Sequence, residues 1–88
     1  MKILNGFVVR EIAGKSVAIS INPKLPFRGM LSLNSTARFL WDILVKGCER
    51  EELYEALIEA YGIDRELAVR DVDNILSLLS SHGLLVEE

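Results

Sequence analysis

Hydrophobic and polar residues alternate along the first part of the chain, and the pattern then changes to a helical spacing. Residues 7–12 and 16–21 are rich in β-branched residues, and a short turn separates them in which Gly14 is free to adopt a positive φ. The strict alternation of the second segment places three hydrophobic residues on one face, which we expect to be the core face: Val17, Ile19 and Ile21. The two segments predict a β-hairpin.

A third strand is predicted at Met30–Leu33, after a loop over residues 22–29 that contains both prolines of the chain. Three such strands form an antiparallel sheet in which at least one edge has no partner. Proteins usually protect an open edge with charged residues or proline, because it otherwise recruits other chains. Met30–Leu33 contains neither. The segment is therefore either an aggregation hazard or a strip on which another chain docks.

Three helices should follow the sheet. The first begins at Asn34 or Ser35, either of which can accept a hydrogen bond from the first turn, and it ends before Gly47. The second spans Arg50–Tyr61 and the third spans Arg65–Ser81. Each has a hydrophobic stripe at helical spacing: Ala37, Leu40, Trp41 and Leu44 on the first; Leu53, Ala56, Leu57 and Ala60 on the second; Ala68, Val72, Ile75, Leu76 and Leu79 on the third.

The third helix has a wider hydrophobic arc than one contact with the sheet requires. Leu67 and Leu78 lie on one flank of its central stripe, and Val69 lies on the other. These positions are either the edge of the core or one wall of a groove between this helix and the third strand. The chain then ends in a short hydrophobic segment, residues 84–86, that packs or pairs back on the domain.

Strands followed by three helices within 88 residues indicate one α+β domain over residues 1–88. The short connection between the second and third helices, residues 62–64, resembles the corner of a helix-turn-helix. Half of the residues are hydrophobic, but no run approaches the ~20 residues of a membrane helix, and the first residues do not form a secretory signal. We expect a cytoplasmic protein that contacts no membrane.

Charge and composition argue against nucleic-acid binding and against catalysis. The net charge is −3, from 10 basic and 13 acidic residues, whereas phosphate backbones select clustered Lys and Arg. The only histidine is His82, at the end of the third helix, and the only cysteine is Cys48, expected as a reduced thiol. These two residues assemble neither a nucleophilic triad nor a structural zinc site. The sequence predicts neither enzymatic activity nor a bound cofactor.

Short motifs along nearly the whole chain, taken in order, resemble the PqqD-like family of RiPP recognition elements. They are Val9-Arg10-Glu11-Ile12-Ala13-Gly14, Phe27-x-Gly29-Met30-Leu31-x-Leu33-Asn34, Trp41-x-x-Leu44, Arg70-Asp71-Val72 and Gly83-Leu84-Leu85. The resemblance implies a domain similar to a winged helix-turn-helix, with three strands and three helices. That architecture agrees with the elements predicted from the hydrophobic pattern.

The resemblance also implies a non-catalytic function. Members of the family hold the leader segment of a ribosomally made precursor peptide, which adds as a strand beside the third strand and enters a groove against the third helix. On this sequence the implied peptide-binding residues are Met30, Leu31, Ser32, Leu33, Val69, Val72, Asp73 and Leu76. The other flank of the helix is the alternative wall of the groove: Leu67, Asp71 and Leu78.

The partners implied by the resemblance are the precursor peptide and an enzyme that modifies it. The enzyme belongs to the radical S-adenosylmethionine class and carries an iron–sulfur cluster, whereas the chain itself holds no cofactor. The family works in the biosynthesis of peptide-derived cofactors and natural products.

Two other functions stay open. In a DNA-binding winged helix, the third helix would enter the major groove, but its two arginines are offset by three acidic residues, which leaves this helix with a net charge of −1. In a structural domain, the open edge of Met30–Leu33 would pair with a second copy of the chain and form a homodimer.

Overall fold

The structure, a computed structural model, describes residues 1–21 and 29–86. Its elements in chain order are β1 (Lys2–Ile3), β2 (Phe7–Ile12), β3 (Lys15–Ser20), β4 (Met30–Leu33), α1 (Ser35–Lys46), α2 (Arg50–Tyr61), α3 (Arg65–Ser81) and β5 (Leu85–Val86). The predicted order of three antiparallel strands followed by three helices is confirmed, and the fold is α+β. Of the predicted loop over residues 22–29, all but Gly29 lies outside the described residues.

The main sheet has the order β2-β3-β4, with β3 in the centre and all neighbours antiparallel. β2 and β3 are joined by a two-residue turn in which Ala13 has φ 53° and Gly14 has φ 79°. Positive φ at both positions is typical of the tight hairpin turn that matches the twist of the strands. β1 pairs with β5 in a separate two-stranded sheet, which confirms that the end of the chain pairs back.

The face of the main sheet that meets the helices is opposite to the predicted one. Ala18 is fully buried in the hydrophobic core, and its cross-strand partner Leu31 packs against the same core. Val17, Ile19 and Ile21 alternate with Ala18 and therefore lie on the outer side of the sheet. Val17 is nevertheless buried, with 8% of its surface exposed, although it is not part of the main core cluster. The prediction of Ile19 and Ile21 as core residues is wrong, because a period of two shows which residues share a face but not which face the helices cover.

Side-chain caps start α1 and α3, the first at Asn34 as predicted. The Ala37 N–H donates to Asn34 Oδ1 over 2.8 Å, and the Leu67 N–H donates to Asp64 Oδ1 over 2.8 Å. α2 begins instead with a capping box between Glu49 and Glu52, which satisfies two free N–H groups of its first turn. α2 ends at Gly62, which adopts the left-handed conformation that favours glycine at this position.

Helical positions in the core agree with the predicted stripes on α1 and α3. Trp41 is 3% exposed, and all the predicted stripe residues of both helices are buried. On α2 the prediction needs a correction, because Ala60 is exposed and Tyr54 is buried in its place. No helix of the described ranges is both long and apolar enough to cross a membrane.

Candidate functional site

β4 forms an open edge of the main sheet. Within residues 1–21 and 29–86 its only strand neighbour is β3. The Ser20 N–H donates to the Gly29 carbonyl over 3.2 Å, which makes these two residues a hydrogen-bonded pair of the antiparallel ladder. Because such pairs recur at every second residue, Leu31 directs its backbone N–H and C=O toward β3. Met30 and Ser32 direct theirs away from β3, toward the open edge.

A cavity of about 300 Å³ lies beside the junction between β4 and α1. Its hydrophobic lining consists of Ala37 and Leu40 from α1 with Ile75 and Leu78 from α3. Its polar lining consists of Asn34, Thr36, Asp71 and Asn74. A small hydrophobic cavity with a few polar groups is typical of a site that accepts one apolar side chain and fixes its orientation.

The cavity uses the flank of α3 that was predicted as the alternative wall. Asp71 and Leu78 line it, whereas Leu67, one turn away, lines a separate hollow near the start of α3. Leu78 is 39% exposed, which is unusual for a leucine at a helical position next to the core. The four residues contributed by α3 have the spacing i, i+3, i+4 and i+7, so they form one continuous strip of the helix surface.

The helix residues first assigned to the groove do not line this cavity. Val72 and Leu76 are 0% and 2% exposed and belong to the hydrophobic core, against which Val69 also packs. Asp73 lies about 200° around the helix from Asp71, because each residue turns the helix by about 100°. These four side chains therefore do not line the cavity beside β4.

Asp73 faces α2 and forms a polar link between the two helices. The Arg50 guanidinium donates to Asp73 Oδ1 over 2.7 Å, and the Tyr54 hydroxyl donates to the same oxygen over 3.0 Å. The pKa of Arg50 lies above its ordinary value because of its hydrogen bonds with Tyr54 and Asp73. This link holds α2 on one side of α3 and leaves the Asp71 side facing the cavity.

A second cavity, of about 550 Å³, lies on the side of α3 that faces α2 and β5. Asp73 and Leu76 contribute to it, but most of its lining residues are polar: Arg50, Asp73, Ser77, Ser80 and Ser81. The first cavity includes Asn34, which follows β4 directly, whereas the second is lined by no residue of β4 or of the β4–α1 junction.

The start of α3 is occupied by contacts with α2. Arg65 is paired with Glu51, and its guanidinium lies over the Tyr54 ring at 5.6 Å from the ring centroid. The hydrogen bond to Glu51 raises the pKa of Arg65. With Arg65 paired to Glu51, Arg70 is the other basic residue of α3, so this helix offers little of the basic surface that a DNA groove requires.

Sequence reasoning missed three of the polar residues of the cavity: Asn34 as a lining residue, Thr36 and Asn74. Helical spacing could have indicated Asn74, since it lies three residues after Asp71 and four before Leu78 on the same face. Asn34 and Thr36 could not be placed from the sequence, because their positions depend on how α1 leaves β4.

Comparisons with known proteins agree with this architecture. A family model described as coenzyme PQQ synthesis protein D (PqqD) matches residues 24–85. The chain belongs to the PqqD family. The resemblance found in the sequence motifs is thereby confirmed.

Two solved structures are similar to this PqqD-family domain over almost their full length. One is TbiB1 in complex with the TbiA(beta) leader peptide, with 25% sequence identity and a TM-score of 0.77, covering 100% of this chain and 98% of that chain. The other is lasso peptide synthetase B1 complexed with the leader peptide, with 19% identity and a TM-score of 0.74, covering 98% and 96%. No curated protein sequence matches the chain.

Proposed function

We propose that this PqqD-family domain binds the leader segment of a ribosomally made precursor peptide as an added strand beside β4. The observation that carries the proposal is the position of an open strand edge next to a hydrophobic cavity. Similarity to TbiB1, which was solved with a leader peptide, supports the same assignment.

Backbone hydrogen bonds supply most of the affinity in this mode of binding. Met30 and Ser32 offer two N–H donors and two carbonyl acceptors that point away from β3. Leu31 and Leu33 keep β4 attached to β3 and to the core. The backbone groups of Met30 and Ser32 are therefore available to the peptide, whereas those of Leu31 and Leu33 bind within the domain.

Side chains of the leader supply the specificity. A peptide strand beside β4 directs alternate side chains toward α3, where one of them fills the cavity lined by Ile75 and Leu78. An apolar side chain suits this hydrophobic lining. The Asp71 carboxylate and the Asn74 amide at the same cavity suit a nearby hydrogen-bond donor or a basic residue of the leader.

The role of the chain in this proposal is to hold a substrate for another protein. The domain is non-catalytic and cytoplasmic, and it presents the precursor to a modifying enzyme. The family resemblance favours an enzyme of the radical S-adenosylmethionine class with an iron–sulfur cluster, which works on a peptide-derived cofactor or natural product.

Isothermal titration calorimetry tests the proposal directly. The titrant is a synthetic leader from a short precursor peptide encoded next to the gene of this chain, and the control is the same residues in scrambled order. We expect saturable binding of one leader per chain and no binding of the scrambled peptide. Absence of binding to every neighbouring leader, or equal binding of the scrambled peptide, contradicts the proposal.

A further inference from the structure

The outer face of the main sheet, the side away from the helices, is unusually hydrophobic. We call it the outer sheet face. Its hydrophobic residues are Val8, Ile12, Val17, Ile19 and Met30 in the strands, together with Ile21, which follows β3 and continues its alternation. Ile12, Ile21 and Met30 are 49%, 63% and 64% exposed, whereas Val8 and Ile19 are half-buried and Val17 is buried. The core cluster includes none of these six residues, and the helices of the described ranges pack on the opposite side of the sheet. Exposed hydrophobic surface of this kind marks an interaction site.

The charged residues on the outer sheet face are all basic within the described strands. Arg10 pairs across the ladder with Val17, and Lys15 pairs with Ile12, so both share the face with the hydrophobic residues. Glu11 lies on the other side, where it accepts a hydrogen bond from Ser16 over 3.0 Å. A face with positive charge and hydrophobic side chains therefore exists on a chain whose net charge is −3.

We propose that the outer sheet face is the docking surface for the modifying enzyme, and that the enzyme meets it with apolar side chains flanked by carboxylates. The inference rests on the proposed function, because it assumes a peptide held at β4. Charge complementarity argues for carboxylates on the partner, since complementary charges speed association and exclude wrong partners.

Continuity with the peptide edge indicates which partner occupies the face. Met30 and Ser32 offer their backbone to the leader, while their side chains lie on the outer sheet face. Packed sheets or layers lie about 10 Å apart, so a protein on this face is within about 10 Å of a strand added to β4. The enzyme would therefore contact the domain next to the peptide on which it acts.

A second copy of the chain is a poorer occupant of the same face. Two outer sheet faces in contact would bring Arg10 and Lys15 of each copy into one interface, and no carboxylate of the described strands lies on that face to compensate them. Like charges placed together at an interface oppose association. Self-association of the chain through this face is one of the outcomes that the test below distinguishes.

Two pairs of substitutions test the proposal against the purified modifying enzyme encoded next to the gene, with the affinity measured by fluorescence anisotropy of the labelled domain. Arg10→Glu with Lys15→Glu reverses the charge of the face. Ile12→Thr with Ile21→Thr removes hydrophobic surface but keeps β-branched residues. Matched single controls on the exposed side of α1 are Lys46→Glu and Val45→Thr, the latter at a residue that is 53% exposed.

We expect each pair to weaken enzyme binding by about tenfold or more, as loss of central interface contacts does, while the controls stay within about twofold. The affinity for the leader should stay within about twofold in all variants. A failure of the proposed function would be seen separately, because the wild-type domain would then bind no leader. Unchanged enzyme binding in both pairs overturns the proposal. The proposal is also overturned if sedimentation detects a dimer that the same two pairs of substitutions dissociate, or if the wild-type domain does not bind the enzyme.

Discussion

The ring of Phe7 on β2 meets the ring of Trp41 on α1 edge to face, with the centroids 5.7 Å apart and the planes at 81°. This geometry places the positive edge of one ring against the negative face of the other. The contact joins the sheet to the helix layer, and both rings belong to or pack against the main core cluster. The aromatic pair therefore adds a directional contact between the two layers.

Trp41→Ala should lower the free energy of unfolding by about 3–5 kcal/mol, because it removes a buried aromatic side chain and leaves a cavity. Small domains have only about 5–15 kcal/mol in total, so the variant should be close to unfolding. Urea denaturation followed by far-UV circular dichroism measures the change. Val45→Ala, at an exposed position of α1, should cost less than about 1 kcal/mol. A loss below about 1 kcal/mol for Trp41→Ala would contradict the role of the pair.

Ser32→Pro should weaken leader binding strongly while the domain stays folded. The substitution removes a backbone N–H that points toward the open edge, where proline is tolerated. We expect a loss of affinity of about tenfold or more, measured by calorimetry. Leu31→Pro is the matched comparison, because it removes an N–H that bonds to β3 and should lower stability by about 1–3 kcal/mol. Equal effects of the two substitutions on stability would show that the hydrogen-bond register is wrong.

Leu78→Ala should reduce leader affinity with little effect on folding. The side chain lines the cavity and is already 39% exposed, so its removal costs less than the loss of a buried leucine. A decrease of about 5- to 30-fold in affinity is expected for a contact worth about 1–2 kcal/mol.

Asp73→Asn is the control on the opposite face of the same helix. It weakens the half-exposed pair with Arg50, so stability should fall by no more than about 1 kcal/mol, and leader affinity should not change. If Asp73→Asn impairs binding and Leu78→Ala does not, the peptide lies on the α2 side of α3.

The Cys48 thiol should react slowly with iodoacetamide in the folded domain. Burial first, and then the negative charge of Glu52, raise the pKa of this thiol above its ordinary value of 9.0. Because the thiolate is the reactive form, alkylation at pH 8–9 should be slower in the folded chain than in urea.

The same raised pKa of Cys48 makes stability depend on pH. The unfolded chain ionises its thiol near pH 9 and the folded chain only at higher pH, so the free energy of unfolding should fall as the pH rises above 9. Cys48→Ala should remove this component from the pH dependence of urea denaturation. An identical slope in both proteins, or equal alkylation rates in folded and unfolded chain, would contradict the assignment.

The sequence by itself determined the helices of the candidate site but not their orientation. The residues of α3 that line the cavity follow from helical spacing, and both of its flanks were recognisable as hydrophobic. The choice of the Asp71 flank depends on Arg50 and Tyr54, which bond Asp73 from α2. Such contacts join residues that are about 20 positions apart in sequence, and no local pattern predicts them.

The sequence also determined that β3 has two unlike faces, one with Val17 and Ile19 and the other with Ser16 and Ala18. Only the tertiary structure decided which of them meets the helices. Hydrophobicity alone favoured the first face, but the helix layer covers the second, where the small side chain of Ala18 is fully buried. The space in the core is filled by large side chains from other elements, and close packing favours a small residue where two layers approach. The hydrophobic residues of the other face form the surface that we propose for docking.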